Sequence, residues 1–261
     1  MGLKTKEQKA AEKSQVKFLS ATYPTKSKPQ NPHGFQLNEK VDGAWRKTDV
    51  FAEVEGTLVG ISAEESVLPT DNVKMFGMKV ELYDKKEDEI YAVSFSLKSY
   101  ASQKVCNALL KIQEVYDLAN EEVFVTLGLN QWKNSNGELN YHFSITVNGN
   151  YIFKDEDLYF NRDGVNVQTG KVLPQVERDE EGGIIGASQN KRFRFLVEEV
   201  NAMSPLLSNI KSTLTNNASG KESVETTTTN SSEVESSKDE DLLDDSGSDF
   251  GNDLPDDDLP F

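Results

Sequence analysis

KMFGMKVELYD (residues 74–84) and EIYAVSFSLK (residues 89–98) decide how this chain is read. In the first stretch Phe76, Met78, Val80 and Leu82 alternate with Gly77, Lys79, Glu81 and Tyr83. In the second, Tyr91, Val93, Phe95 and Leu97 share one parity. A period of two sends successive side chains to opposite faces, so each stretch is a strand with one apolar face. The polar DKKED between them (84–88) is a turn. Upstream, VFAEVEGTLVGI (50–61) reads as another strand. Downstream the period changes. Val105, Leu109, Ile112, Val115 and Tyr116 recur at helical spacing within 101–120. Alternation returns in EVFVTLGLNQW (122–132), with Val123, Val125, Leu127 and Leu129 inward. It continues in LNYHFSITV (139–147), with Tyr141, Phe143, Ile145 and Val147 inward, and Asn136-Gly137 supplies the hairpin turn between the two.

Three strands, one helix and two strands is the order of a five-stranded Greek-key barrel of the OB type, whose helix lies between strands three and four. The expected class is therefore mainly β, with residues 45–150 as the barrel. Residues 1–44 read as a basic N-terminal arm and irregular segment: a Lys-rich helix or arm over 1–20, then three prolines and many turn formers. Residues 151–211 read as an extension packing on the barrel. It holds one more hairpin around Asn161–Gly164, a loop at EEGGIIG (180–186), and a strand or helix over 190–212. Residues 212–261 are low in apolar residues and rich in Ser, Thr, Asp and Glu. They cannot offset the entropy of ordering and read as a disordered acidic tail.

The net charge of −16 over 261 residues conceals a polarity. Residues 212–261 carry 14 acidic side chains against Lys221 and Lys238, a net of −12. Residues 1–30 carry seven lysines against Glu7 and Glu12, a net of +5. Such asymmetry points to a polyanion ligand, an acidic regulatory tail, or both. Cys106 is the single cysteine, which excludes an internal disulfide and fits a reducing compartment. No apolar run reaches the ~20 residues of a membrane helix, and none resembles a secretory signal. The expectation is a soluble protein of the cytoplasm, with no membrane partner.

Motifs for catalysis are missing. His33, His142 and Cys106 are too far apart in sequence for a zinc site. Gly170-Lys171 is followed by Val172, so no phosphate-cradling loop is present. Neither GxGxxG nor GxSxG occurs. Cys106 lies on the apolar stripe of the expected helix and reads as a small core residue. No cofactor is implied, and the chain is not expected to be an enzyme. The chemistry of single-strand binding is better represented, since it needs cations along phosphates and aromatic faces under bases. Trp45-Arg46-Lys47 sets a large ring beside two cations, and Trp132-Lys133 stands where a strand enters its hairpin. Lys74, Lys79, Tyr83 and Lys98 lie on or beside the non-core face of strands two and three, a face that OB barrels use for oligonucleotides. Stacking is proposed for Trp45, Tyr83 and Trp132, and phosphate contact for Arg46, Lys47, Lys74, Lys79, Lys98 and Lys133. Either tryptophan could instead close a barrel end, and any of these lysines could simply be solvated. Lys191–Phe195 interleaves cations with rings, and an amphipathic element with Phe193 and Phe195 buried accounts for it.

The chain ends in DDDLPF. Asp256, Asp257, Asp258, Leu259, Pro260 and Phe261 resemble the C-terminal tip of bacterial single-stranded DNA-binding proteins, and the layout of barrel, low-complexity linker and acidic tip resembles theirs. The long lead-in before Trp45, the added 151–211 and the Ser/Thr/Glu linker resemble a divergent, phage-type member. The resemblance implies binding and protection of single strands in replication, recombination or repair, in a bacterial cytoplasm or a phage-infected host. It also implies that the six terminal residues dock partner proteins of those processes, and that homo-oligomers are possible. Two rivals remain open. One is a barrel that binds protein rather than DNA. The other is a metal-dependent nuclease using Glu53, Glu55 and Glu81.

Overall fold

The computed structural model describes residues 16–24, 29–41, 44–67, 73–133, 139–151 and 158–219. Nine strands share one sheet: β1 (Val16–Thr22), β2 (Gly34–Val41), β3 (Ala44–Phe51), β4 (Glu53–Val67), β5 (Lys74–Asp84), β6 (Glu89–Ser96), β7 (Phe124–Lys133), β8 (Leu139–Val147) and β9 (Asn150–Tyr151). Among the described residues three helices accompany them: α1 (Tyr100–Val115), α2 (Gly186–Met203) and α3 (Ser208–Ser219), the last two joined by a 3-10 turn over Ser204–Leu207. The strand order is β3-β2-β1-β6-β5-β4-β7-β8-β9, antiparallel throughout except for the parallel pair β1 and β6.

The meander β4-β5-β6 follows from the alternation. Phe76, Met78, Val80 and Leu82 of β5 are buried, as are Val93 and Phe95 of β6, which face Val80 and Met78. Ser99 caps α1, its Oγ accepting from the Ser102 amide. Val105, Leu109 and Ile112 are fully buried and Tyr116 packs against the core, whereas Val115, the last residue of α1, is exposed. The hairpin β7-β8 has the expected register, Leu129 opposite Phe143 and Leu127 opposite Ile145. Its turn at Asn136-Gly137 lies outside the described residues.

β4 is the pivot. Its first residues, Glu53–Thr57, pair with β7, and from Thr57 onward it pairs with β5. β5 and β7 lie on opposite edges of β4, and the two pairings meet at Thr57. Gly56 sits at that point, where a Cβ would lie 2.7 Å from the Tyr83 carbonyl oxygen, so only glycine permits the approach. Beyond Thr57 the other edge of β4 is taken up by α2. The Asn201 side chain accepts from the Ala63 amide at 2.9 Å and donates to the Ala63 carbonyl at 2.8 Å, as a neighbouring strand would.

Three expectations are corrected. Residues 16–22, expected as a helix or arm, form β1, with Leu19 and Ala21 inward and Phe18 and Ser20 outward. Residues 34–41, expected as irregular, form β2, with Phe35 and Leu37 buried. The turn formers serve the connection between these strands, not the whole segment. Over 151–175 no hairpin of paired strands forms among the described residues. Instead Asn161 Oδ1 accepts from the Asp163 and Val165 amides, and a lone bridge joins Val165 to Val172. The sheet therefore runs from residue 16 rather than 45, and helix α3 continues past residue 211.

The sheet curls so that its apolar face encloses the core. β2 and β8 stand far apart in strand order, yet Phe35 meets Phe143 with ring centroids 6.2 Å apart, and Tyr23 stacks on Tyr141 at 5.3 Å. Among the described residues no ladder joins β6 to β8, and aromatic rings close that seam instead. The open side is filled by α1, α2 and residues 158–173. Phe193 lies 5.1 Å from Phe76, and the Asn107 amide is bonded to both backbone groups of Phe160. A buried carboxylate fastens the irregular segment: Glu199 accepts two bonds from Lys171 Nζ, at 2.6 and 2.7 Å, and one from the Tyr159 hydroxyl. Burial and Glu199 push the Tyr159 phenol up to about 12, so it stays a donor.

Candidate nucleic-acid interface

Residues paired across a ladder share a face, so the register shows what the outer, non-core face displays. One row crosses six strands: Val50, Gln36, Ser20, Ser94, Lys79 and Ser62. A bond of 3.2 Å from Asn38 Nδ2 to Ser20 Oγ confirms that β1 and β2 turn these side chains the same way. The adjacent row holds Lys47, Asn38 and Phe18. Trp45, opposite Lys40, packs edge-on to Phe18 at 5.7 Å while remaining 38% exposed. Every residue of β3 is exposed, so this hairpin projects from the body. Two rings and Lys40, Lys47 and Lys79 thus line one polar, apolar-spotted face. Lys40 and Lys47 have no ion partner among the described residues, and Lys79 is held 3.2 Å from Glu81.

The expected residues are distributed unevenly over this surface. Trp45, Lys47 and Lys79 come together on it. Arg46 lies opposite Glu39 on the other side of β3, where both faces are open to solvent. Lys74 is engaged with Glu65 at 2.7 Å, a carboxylate that also takes a fork of two bonds from Arg194. Hydrogen bonds from Arg194 and Lys74 hold Glu65 down at about 2. Lys98 follows β6, and Lys133 ends β7; neither forms an ion pair among the described residues. Lys133 lies two residues beyond Gln131, which pairs with Tyr141 of the ring group Tyr23, His33 and Tyr141. The backbone of Trp132 pairs with Asn140, but its side chain lies outside the described residues. Asp256–Phe261 also lie outside them.

Tyr83 is the correction with the most consequence. It lies on the outer face as expected, yet only 6% of it is exposed. Helix α3 covers it: Ile210 and Leu214 pack with Val59, Tyr83 and Ile90 in a cluster apart from the main core. Its hydroxyl donates to Asp88 Oδ1 at 2.7 Å, and burial with that bond pushes the phenol up to about 12. Sequence periodicity gives a face but not what covers it. In this conformation the ring offers no surface to a base.

Lys211 of α3 donates to Glu81 at 2.5 Å. Burial pulls the Glu81 carboxyl up, but hydrogen bonds and charge from Lys211 and Lys79 outweigh it, and the net displacement is downward. A carboxylate with a depressed folded pKa contributes stability that is present above its unfolded pKa and lost as pH falls through the folded one. We therefore expect α3 to loosen on acidification in that window. The loosening is read from amide exchange over 208–219, and Glu81→Gln should remove the Glu81 component of it. An equal acid response in that variant would assign the effect to other carboxylates.

Among the described residues no three His, Cys, Asp or Glu side chains are grouped to hold a metal. Glu53 and Glu55 are exposed on β4, and Glu81 is committed to lysines. Cys106 is fully buried, and burial with the Glu199 charge pushes its thiol up to about 12. Among the described residues no helix is long and apolar enough to cross a membrane. Fold and surface together define a mainly β protein with a curled sheet whose outer face carries an exposed tryptophan, a half-buried phenylalanine and cations. No family model, curated protein or solved structure matches the chain.

Proposed function

We propose that this protein binds single-stranded DNA without sequence preference and brings replication, recombination or repair proteins to it through its acidic C-terminal tip. The observation that carries this reading is the outer face of β1, β2, β3, β5 and β6, with Trp45, Phe18, Lys40, Lys47 and Lys79 turned the same way. Cations spaced along a strand neutralise phosphates, rings accept bases by their faces, and the intervening Gln36, Asn38, Ser20 and Ser94 supply no fixed base pattern. The OB reading of the core is supported by the meander, helix and hairpin order and by the sharing of β4 between β5 and β7. In such a barrel β1 would stand beside β6, where the barrel would otherwise close.

In the tip, the Phe261 ring would enter an apolar pocket and its carboxylate would meet an Arg or Lys of the partner, while Asp256, Asp257 and Asp258 steer the encounter. A segment of net −12 tethered to a cationic face also competes with DNA for that face. Titration of fluorescent oligo-dT at several salt concentrations tests the reading, with duplex of equal length beside it. Single-strand binding that weakens with salt is expected, and a variant ending at Glu240 should bind more tightly at low salt. Unchanged affinity in that variant would remove the competition. Binding by neither form would leave a protein-interaction module. A matched RNA strand reports whether anything contacts the 2′-hydroxyl.

A further inference from the structure

We propose that α3 is a displaceable cover over a second base-stacking subsite, and that single-stranded DNA running along the outer face moves α3 aside to stack on Tyr83. This rests on the DNA-binding reading above and deepens it.

Four observations converge. The first is continuity. Phe18 is opposite Ala92, two residues from Ile90, which is itself opposite Tyr83. The covered patch therefore adjoins Trp45 and Phe18 on the same face, and a strand leaving those rings towards β5 runs into α3. The second is the separateness of the cover. Ile210 and Leu214 pack with Val59, Tyr83 and Ile90 in a cluster set apart from the main core, so their release leaves that core intact. The third is the sequence of α3, SNIKSTLTNNAS, rich in Ser, Thr and Asn. These are poor helix formers, and the hydroxyls of Ser212 and Thr213 turn back on the Asn209 carbonyl. Away from the sheet such a helix has little intrinsic stability.

The fourth observation is charge. α3 leads directly into residues 220–261, which hold 14 acidic side chains and two lysines. Phosphates arriving on the face repel that segment and favour its departure together with α3. Glu81 then loses Lys211 but keeps Lys79 as counter-ion, 3.2 Å away, so no bare carboxylate faces the DNA. The cover thus couples occupation of the face to release of the segment that ends in DDDLPF.

Amide exchange on the full chain, with and without saturating oligo-dT, tests this directly. Residues 16–22 and 44–51 should gain protection while 208–219 lose it. In parallel, the full-length double variant Ile210→Ser, Leu214→Ser should bind oligo-dT about tenfold more tightly, because the competent state no longer has to be selected from a covered one. Unlike an effect of the acidic tail, this gain should persist at high salt, since the contacts removed are apolar. DNA binding with unchanged or increased protection of 208–219 overturns the cover and leaves the DNA-binding reading standing. So does a double variant of wild-type affinity. Absence of any binding by the wild-type chain overturns both.

Discussion

The combined variant Lys40→Ala, Lys47→Ala, Lys79→Ala is expected to lose about a hundredfold in affinity for oligo-dT at low salt, taking about 1 kcal/mol per exposed charged contact. Its salt dependence should flatten as well. Each phosphate contact on a single strand contributes about 0.7 to the slope of log K against log salt, so three lost contacts reduce it by about two. The slope is the sharper readout, because it counts ion contacts whatever their strength. Lys40 and Lys47 lie on β2 and β3 with no ion partner among the described residues, and Lys79 is two strands beyond β1 on the same outer face. Lys86→Ala, in the exposed turn at 85–88, serves as a control of equal charge chemistry off this face. Adding Trp45→Ala to the triple variant should cost a further 1–3 kcal/mol or so without changing the slope, since stacking releases no counter-ions. A triple variant with wild-type slope would move the interface elsewhere, first to Lys98 and Lys133.

The largest effect on stability is expected at Phe143. Its ring meets Phe95 edge-on at 5.2 Å and Phe35 at 6.2 Å, so it ties β8 to β6 and to β2 across a seam that has no ladder among the described residues. Phe143→Ala removes a buried ring and leaves a cavity that its neighbours on separate strands cannot close together. About 3–5 kcal/mol is expected, a large fraction of the 5–15 kcal/mol or so that a typical domain has. Urea unfolding should show this as a lowered midpoint. Leu139→Ala, on the same strand but 46% exposed, should stay within about 0.5 kcal/mol. If the two substitutions cost the same, the seam is not packed as described. Loss of Phe143 should also speed amide exchange in β1 and β2 more than in β4 and β5, because the meander keeps its own ladders.

The alternating stretches were legible because burial on one face enforces a period of two. β5, β6, β7 and β8 fall where that period appears, and α1 falls where the period changes to that of a helix. β1 and β2 were not legible as strands. VKFLSAT has only seven residues beside a Lys-rich run, and GFQLNEKV follows prolines, so composition outweighed the short alternation of Leu19 with Phe18 and of Phe35 with Gln36. Their pairing partners lie far along the chain: β1 lies parallel to β6, a contact between residues about 70 apart that no local pattern encodes. The same limit governs the interface. Lys79 can be nominated from its parity, and Trp45 and Lys47 from a ring set beside cations, but Phe18 and Lys40 cannot, since their face exists only once β1 and β2 have joined the sheet. Alternation puts Tyr83 on the proper face, but its cover is invisible along the chain because Ile210 and Leu214 follow it by 127 and 131 residues.

By itself, then, the sequence determined that the stretches around 74–84, 89–98, 122–132 and 139–147 are strands with a single apolar face, where the helix interrupts them, how charge is divided between the ends, and which chemistries lack their residues. These are properties of neighbours along the chain, where spacing alone carries the physics. The tertiary structure alone decided that nine strands form one curled sheet, that rings close its seam, that Lys40, Lys47, Lys79, Phe18 and Trp45 share an open face, and that α3 lies over Tyr83. Those depend on which distant surfaces bury each other. Burial is set by the summed apolar area of the whole fold, not by the period of any one strand.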